Sequence, residues 1–179
     1  MSTIESTIAP AGIWALDPVH STVGFEVGYL VGTFKGQFRD VDARLDVGEP
    51  GASLAGSARV ASVDVKDENL AAHLQSPDFF DAENHPELRF SADDIAIDGG
   101  TVTVDGEIMI KGVSKPVVVT GTVAEPLTDP YGNERIGLAV STTIDRTDFG
   151  VSWNNPLPGG KPALSDEVRI VGELAFVKA

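Results

Sequence analysis

From Trp14 onward, apolar side chains recur at every second position rather than every third or fourth, the mark of strands with one buried face. Val23, Phe25, Val27 and Tyr29 share one face of the segment 21–30, while Thr22, Gly24, Glu26 and Gly28 share the other. The alternation returns in Val41, Ala43, Leu45 and Val47, in Val102, Val104, Ile108 and Ile110 around Gly106, and in Val117, Val119 and Val123 around Gly121. It continues in Ile136, Leu138, Val140 and Ile144, then in Val168, Ile170, Leu174 and Phe176. No helical period of comparable length competes. The pattern predicts about eight to nine strands of roughly seven to twelve residues, long for a sandwich and suited to an antiparallel barrel.

Two strands change phase part-way. Phe34 and Phe38 are even-numbered where Val41 to Val47 are odd, and Leu88 and Phe90 are even where Ile95 and Ile97 are odd. A slip of one residue is what a β-bulge or a corner produces. Glycines 24, 28, 36, 56, 106, 121, 137 and 172 fall inside strands, where they weaken pairing unless the backbone must bend or pack closely. Sheets that close on themselves need such corners. Against this background Asp67 to Gln75 (DENLAAHLQ) stands out, with helix formers, an acidic start, and Leu70 and Leu74 four apart, and it predicts two or so helical turns ended by Ser76-Pro77. Trp153 to Pro162 (WNNPLPGGKP) reads as an exposed loop, and Asp129 to Asn133 as a turn between strands.

The length of 179 residues suits one domain. The expected division is a flexible segment 1–12 followed by a single barrel domain, 13–179. With 27 acidic and 13 basic side chains the net charge is -14, a surface that repels nucleic acid and favours solubility. There is no cysteine, so disulfides and thiol chemistry are absent. Met1 to Gly12 contains Glu5, no Lys or Arg and no apolar core, unlike a secretory signal, and no stretch approaches the ~20 apolar residues that span a bilayer. The expected location is the cytoplasm, unless a signal has been removed, with no integral membrane segment.

The candidate chemistry is sparse. His20, His73 and His85 lack the spacing of a zinc site, and no Gly-x-Ser-x-Gly elbow occurs. His20 and Ser21, as strand neighbours, point to opposite faces. The expectation is therefore no catalytic residue, no metal and no cofactor. One enzyme alternative remains open, a metal- or His-dependent reaction using His20 and His73. Phe25, Phe34, Phe38, Phe79, Phe80, Phe90 and Phe149 gather at strand starts and in the irregular segments. An eight-stranded barrel either fills with such side chains, and then acts through its surface, for example in a stress response, or keeps a cavity for one small ligand. Lys115, Arg146 and Lys161, near strand ends, suit either a polar headgroup or plain solvent exposure.

Specific strings then carry a resemblance. Trp14-x-Leu16-Asp17-x-x-His20-Ser21 precedes Phe25-x-Val27 and Gly32-x-Phe34-x-Gly36-x-Phe38, followed by His73-Leu74-x-Ser76-x-Asp78-Phe79-Phe80-Asp81 with Pro86 and Phe90. Gly106-x-x-x-Ile110-x-Gly112-x-x-Lys115-Pro116 and Ile144-x-Arg146-x-Asp148-Phe149-Gly150 complete the series. In this order and spacing they resemble the YceI-like family of lipid- or polyisoprenoid-binding proteins, from about Trp14 to Phe176. The resemblance implies an all-β, extended lipocalin-like antiparallel barrel with a short helix near 67–75. It also implies non-catalytic transport or storage of a long isoprenoid or similar amphiphile, such as a polyprenyl compound or the tail of an isoprenoid quinone. The implied ligand-binding residues are Phe25, Phe34, Phe38, Phe79, Phe80, Phe90, Met109 and Phe149, with Asp17, His20, Arg146 and Asp148 as a polar rim. A homodimer is the expected assembly. Two departures from the family are the missing export signal and His85, which stands where an aromatic such as Tyr is usual.

Overall fold

The computed structural model describes residues 11–48, 51–98 and 100–179. Eleven strand segments are formed among them, with all pairings antiparallel: β1 (Gly12–Leu16), β2 (Thr22–Tyr29), β3 (Gly32–Phe38), β4 (Val41–Val47), β5 (Ala52–Arg59), β6 (Val63–Asp64), β7 (Glu87–Asp98), β8 (Thr101–Ile110), β9 (Val113–Thr128), β10 (Glu134–Asp145) and β11 (Leu164–Lys178). One helix, α1 (Glu68–Gln75), follows β6. Residues 1–10 of the expected flexible segment lie outside the described residues, and Gly12, placed in that segment by the sequence, instead opens β1 opposite Val47.

The strands form a closed eight-membered ring, β1-β4-β5-β7-β8-β9-β10-β11, completed by pairing of β1 with β11. Segments β2, β3 and β6 prolong β1, β4 and β5 toward one end, and β2 pairs with the first half of β11. The interruptions at 17–21, 39–40 and 60–62 are thus breaks within long staves. The phase slip at Phe38 is the second of these. The slip after Phe90 is a register shift against β8 between Ser91 and Asp94. Alternation holds well on β8, where Val102, Val104, Ile108 and Ile110 are buried while Thr101, Thr103, Asp105 and Glu107 are exposed.

The helix begins at Asp67, whose carboxylate accepts the backbone N–H groups of Asn69 and Leu70, as an N-cap does. Large rings explain two in-strand glycines: a Cβ at Gly36 would strike the ring of Phe25, and one at Gly106 the ring of Phe90, each at 2.6 Å. At Gly121 a Cβ would meet the carbonyl of Ala139 on β10, so close backbone approach demands glycine there. Just beyond, the β9–β10 ladder stops at Thr120 and Ser141. Above this point residues 113–119 and 142–145 are not paired to each other, and the Thr142 hydroxyl donates to the Val118 carbonyl across the gap at 2.9 Å. Pro116 fits this unpaired edge because it has no N–H to offer a neighbour.

The two ends of the barrel differ. One receives the start of β1, the β7–β8 turn and the 129–133 loop, and is packed by the fully buried Trp14, Val102 and Phe176 with Leu45 and Ile136. An ionic cluster ties its rim. Arg135 donates to Asp17 Oδ2 at 2.8 Å and to Asp129 Oδ2 at 2.6 Å, and His20 Nδ1 lies 2.7 Å from the same Asp17 oxygen. The Arg135 guanidinium, helped by His20 at Asp17 and by the Asn133 amide at Asp129, holds each carboxyl down at about 2. Both acids are stronger in the fold than in the unfolded chain, so their stabilisation is present above about pH 4 and is lost as pH falls through about 2. The variant R135A is expected to melt below wild type at neutral pH, with the difference shrinking between pH 4 and pH 2. Melting temperatures across that range test this, and a gap independent of pH would refute it.

Candidate functional site

The opposite end carries the β2–β3 turn, α1 with its flanking residues to Pro86, the β8–β9 turn and the long 146–163 segment. Beneath these elements the barrel encloses a cavity of about 510 Å³, within the range that takes a small organic ligand. Phe25, Phe34, Phe38, Phe79, Phe80, Phe90 and Phe149 all reach its wall, together with aliphatic side chains such as Val23, Val27, Leu88, Val117, Val119, Val168 and Ile170. Phe25 anchors the aromatic group, with ring centroids 5.8 Å from Phe34 and from Phe38 and 6.1 Å from Phe80, edge-on or tilted in each case.

Met109 is a correction. It lies between the inward-facing Ile108 and Ile110 and so points outward, onto a shallow groove with Arg89, Glu107 and Ser114. The period-two rule itself assigns it there.

Two of the polar side chains at the wall, Thr142 and Arg146, are engaged with backbone carbonyls. The Thr142 hydroxyl is committed to Val118. The buried Arg146 guanidinium donates to the carbonyls of Ser165, Val151 and Trp153, each at 2.8 Å, with Leu164 at 3.5 Å and the Asp166 carboxylate 3.6 Å away. Burial lowers its pKa while Asp166 and Asp145 oppose that shift, and a guanidinium stays charged in either case. Its work is to fold the 146–163 segment over the cavity.

The expected polar rim is therefore not one cluster. Asp17 and His20 belong to the packed end with Arg135, whereas Arg146 and the exposed Asp148 follow the far end of β10. Strand pattern alone gives no position along the barrel axis, which is why the sequence merged them. The two histidines of the enzyme alternative are likewise apart. His20 bonds Asp17, and His73 bonds Asp78 at 3.0 Å. Among the described residues no group of three or more His, Asp or Glu is placed to hold a metal ion.

Three features were not foreseen. Trp153, expected in an exposed loop, is half-buried, with its ring 4.8 Å from His73 and 5.3 Å from Phe79, so α1 and the 146–163 segment meet through an aromatic contact. Lys111 fastens the same region: its ammonium donates to the Pro77 and Gly150 carbonyls at 2.6 and 3.3 Å from the two-residue β8–β9 turn. Lys111 and Gly112 both have positive φ there, 52° and 77°, as a hairpin turn matched to strand twist requires. His85 packs over that turn, where a Cβ at Gly112 would meet its ring.

A closed antiparallel barrel with a packed end and an apolar cavity under a helix and a loop is a lipocalin-like barrel. The match to the YceI-like domain runs over residues 14–176, and the chain belongs to that family. A UPF0312 protein of Pseudomonas fluorescens is 33% identical over 82% of this chain and 83% of its own length, and one of Vibrio cholerae is 31% identical over 74% and 72%. Among solved structures, BcnA of Burkholderia cenocepacia superposes with a TM-score of 0.77 at 24% identity, covering 89% of this chain and 98% of its own. The YCEI protein of Campylobacter jejuni gives 0.73 at 26% identity, covering 83% and 87%. A polyisoprenoid-binding domain from Saccharophagus degradans gives 0.71 at 13% identity, covering 93% and 98%, and shares the fold.

Removing the Arg146 head leaves several buried carbonyls without a donor, at roughly 1–3 kcal/mol each before relaxation. R146M is expected to lose about 3 kcal/mol or more in urea unfolding, whereas H20A, at an exposed side chain, is expected to stay within about 0.5 kcal/mol. Equal losses would contradict the structural role given to Arg146.

Proposed function

We propose that this protein binds and carries, or stores, a long isoprenoid or similar amphiphile in the barrel and performs no reaction on it. The observation that supports this reading is the wall of the cavity. Apolar side chains dominate it, and Thr142 and Arg146 already direct their donors at backbone carbonyls. Such a wall offers mainly hydrophobic burial, worth ~0.8 kcal/mol per methylene. A polyprenyl or quinone tail is nearly insoluble in water, so a sleeve of this kind gives it a soluble carrier. The Saccharophagus degradans neighbour, described as polyisoprenoid-binding, fits the same reading. The headgroup then faces the end where His73, Trp153 and Tyr29 reach the cavity wall.

Native mass spectrometry of freshly purified protein, followed by organic extraction, tests the proposal. The expected result is one isoprenoid-sized adduct per chain, or stoichiometric uptake of added polyprenyl compound. An empty chain that refuses added isoprenoid would defeat it. Val117→Phe sharpens the test. If the interior is a cavity, the larger ring is accommodated and uptake falls while the melting temperature holds. In a filled barrel the same change overpacks the core, at about 1–3 kcal/mol. F38A and F80A are expected to weaken retention more than H20A, compared at a temperature where all three remain folded.

A further inference from the structure

We propose that the β2–β3 turn is a membrane-docking tip that places Tyr29, Leu30 and Val31 in the interfacial layer of an electrically neutral bilayer. The proposal rests on the carrier reading above and adds where cargo is exchanged.

Three consecutive apolar residues are open to solvent here, with Tyr29 43%, Leu30 56% and Val31 107% exposed. Other exposed apolar side chains, such as Leu127 and Tyr131, belong to the packed end and have no cavity behind them. Tyr29, by contrast, also lines the cavity, so the cavity wall meets solvent at this turn. The Leu30 N–H donates to the Ala163 carbonyl at 3.0 Å, which joins the tip to the segment lying over the cavity.

The backbone supports a special role. Leu30 has φ 53°, in the left-handed region that a bulky residue rarely adopts. The other non-glycine residues there differ in kind. Lys111 anchors two carbonyls through its ammonium, and Asp81 accepts from the Asn84 amide. Leu30 opens the two-residue turn between Tyr29 and Gly32, the place that Lys111 holds in the β8–β9 turn, so the hairpin itself calls for positive φ there. A glycine would meet that demand without strain, and the turn instead carries a leucine that is more than half exposed.

Charge selects the partner. Within the hairpin no charged residue occurs from Val27 to Phe34, and the first charges on it, Glu26 and Lys35, are paired directly across the two strands, with Arg169 on Glu26. On the neighbouring β11, Asp166 and Glu167 fall between Val168, opposite Val27, and Leu164, opposite Tyr29, so the part clear of charge is the turn itself, Leu30 and Val31 with Tyr29 at its base. A tip of this size suits the shallow side of the ~5–10 Å depth of interfacial burial. A tyrosine at the base of such a tip suits the headgroup level. The net charge of -14 opposes approach to anionic lipid, so apolar insertion into neutral lipid is the compatible mode.

Flotation of the purified full chain with phosphatidylcholine vesicles tests the tip. Wild type is expected to co-float, and V31D to lose at least tenfold in binding while retaining its circular dichroism and its isoprenoid uptake. L30G is expected to melt at the same or a higher temperature than wild type and yet bind vesicles more weakly, a pair of changes that a merely structural turn would not produce. The proposal is overturned if wild type fails to float with phosphatidylcholine, or if V31D floats like wild type. It is also overturned if binding needs anionic phosphatidylglycerol and vanishes in salt, or if V31D turns a dimer into a monomer on gel filtration, which assigns the tip to self-association. Floating without isoprenoid uptake by wild type defeats the carrier reading and leaves the tip standing, and uptake without floating does the reverse.

Discussion

Three residue pairs, Trp14 with Lys178, Ala15 with Val177 and Leu16 with Phe176, close the sheet between β1 and β11. They complete, at the packed end, a closure that the β2–β11 pairing continues along the rest of β11, so that neither side of the seam is left as an unpaired edge around the apolar interior. The closure is short because β1 breaks at Asp17, after which β2 carries the pairing onward along β11 from Glu173 to Leu164. The same pairs lie where Trp14 and Phe176 are fully buried, so the seam is held by packing as well as by hydrogen bonds. The Arg135 cluster lies beside it and bonds the end of β1 to the 129–133 loop. One end of the barrel thus concentrates the fold's packing and its strongest ion pairs.

That concentration frees the other end. Above the packed layer the inward side chains line a void, and the elements over it are tied by polar contacts to backbone: Arg146 to four carbonyls, Lys111 to two, Thr142 to one. Bonds of this kind order a segment without filling the space beneath it. The unpaired stretch of β9 and β10 lies on this side too, as does the aromatic contact of Trp153 with α1. This division, a packed base and a top held by polar contacts over a void, is compatible with the proposed carrier role, in which cargo would pass one end without the barrel opening at its seam.

Much of this was legible in the sequence. Period-two apolar residues specified the strands and which side chains face inward, because a one-residue shift would expose the whole set. The phase slips marked the break at 39–40 and the irregular register after Ser91, and the capping acid and paired leucines marked α1. Seven phenylalanines were assigned to one interior, and all seven reach the cavity wall. Met109 was misread only where the alternation rule was set aside for a resemblance.

Position along the barrel axis was not legible. Asp17 and Arg146 have similar surroundings in sequence, each close to a strand end, yet they serve opposite ends of the barrel. Arg135 and Trp153 carried no distinguishing pattern, because their partners come from residues distant in the chain or from loops without periodicity. Whether the interior is filled or hollow also rested on the tertiary structure. Alternation determines the direction of a side chain, but the volume left between eight inner faces depends on stagger and closure, which are properties of the assembled ring rather than of any one strand.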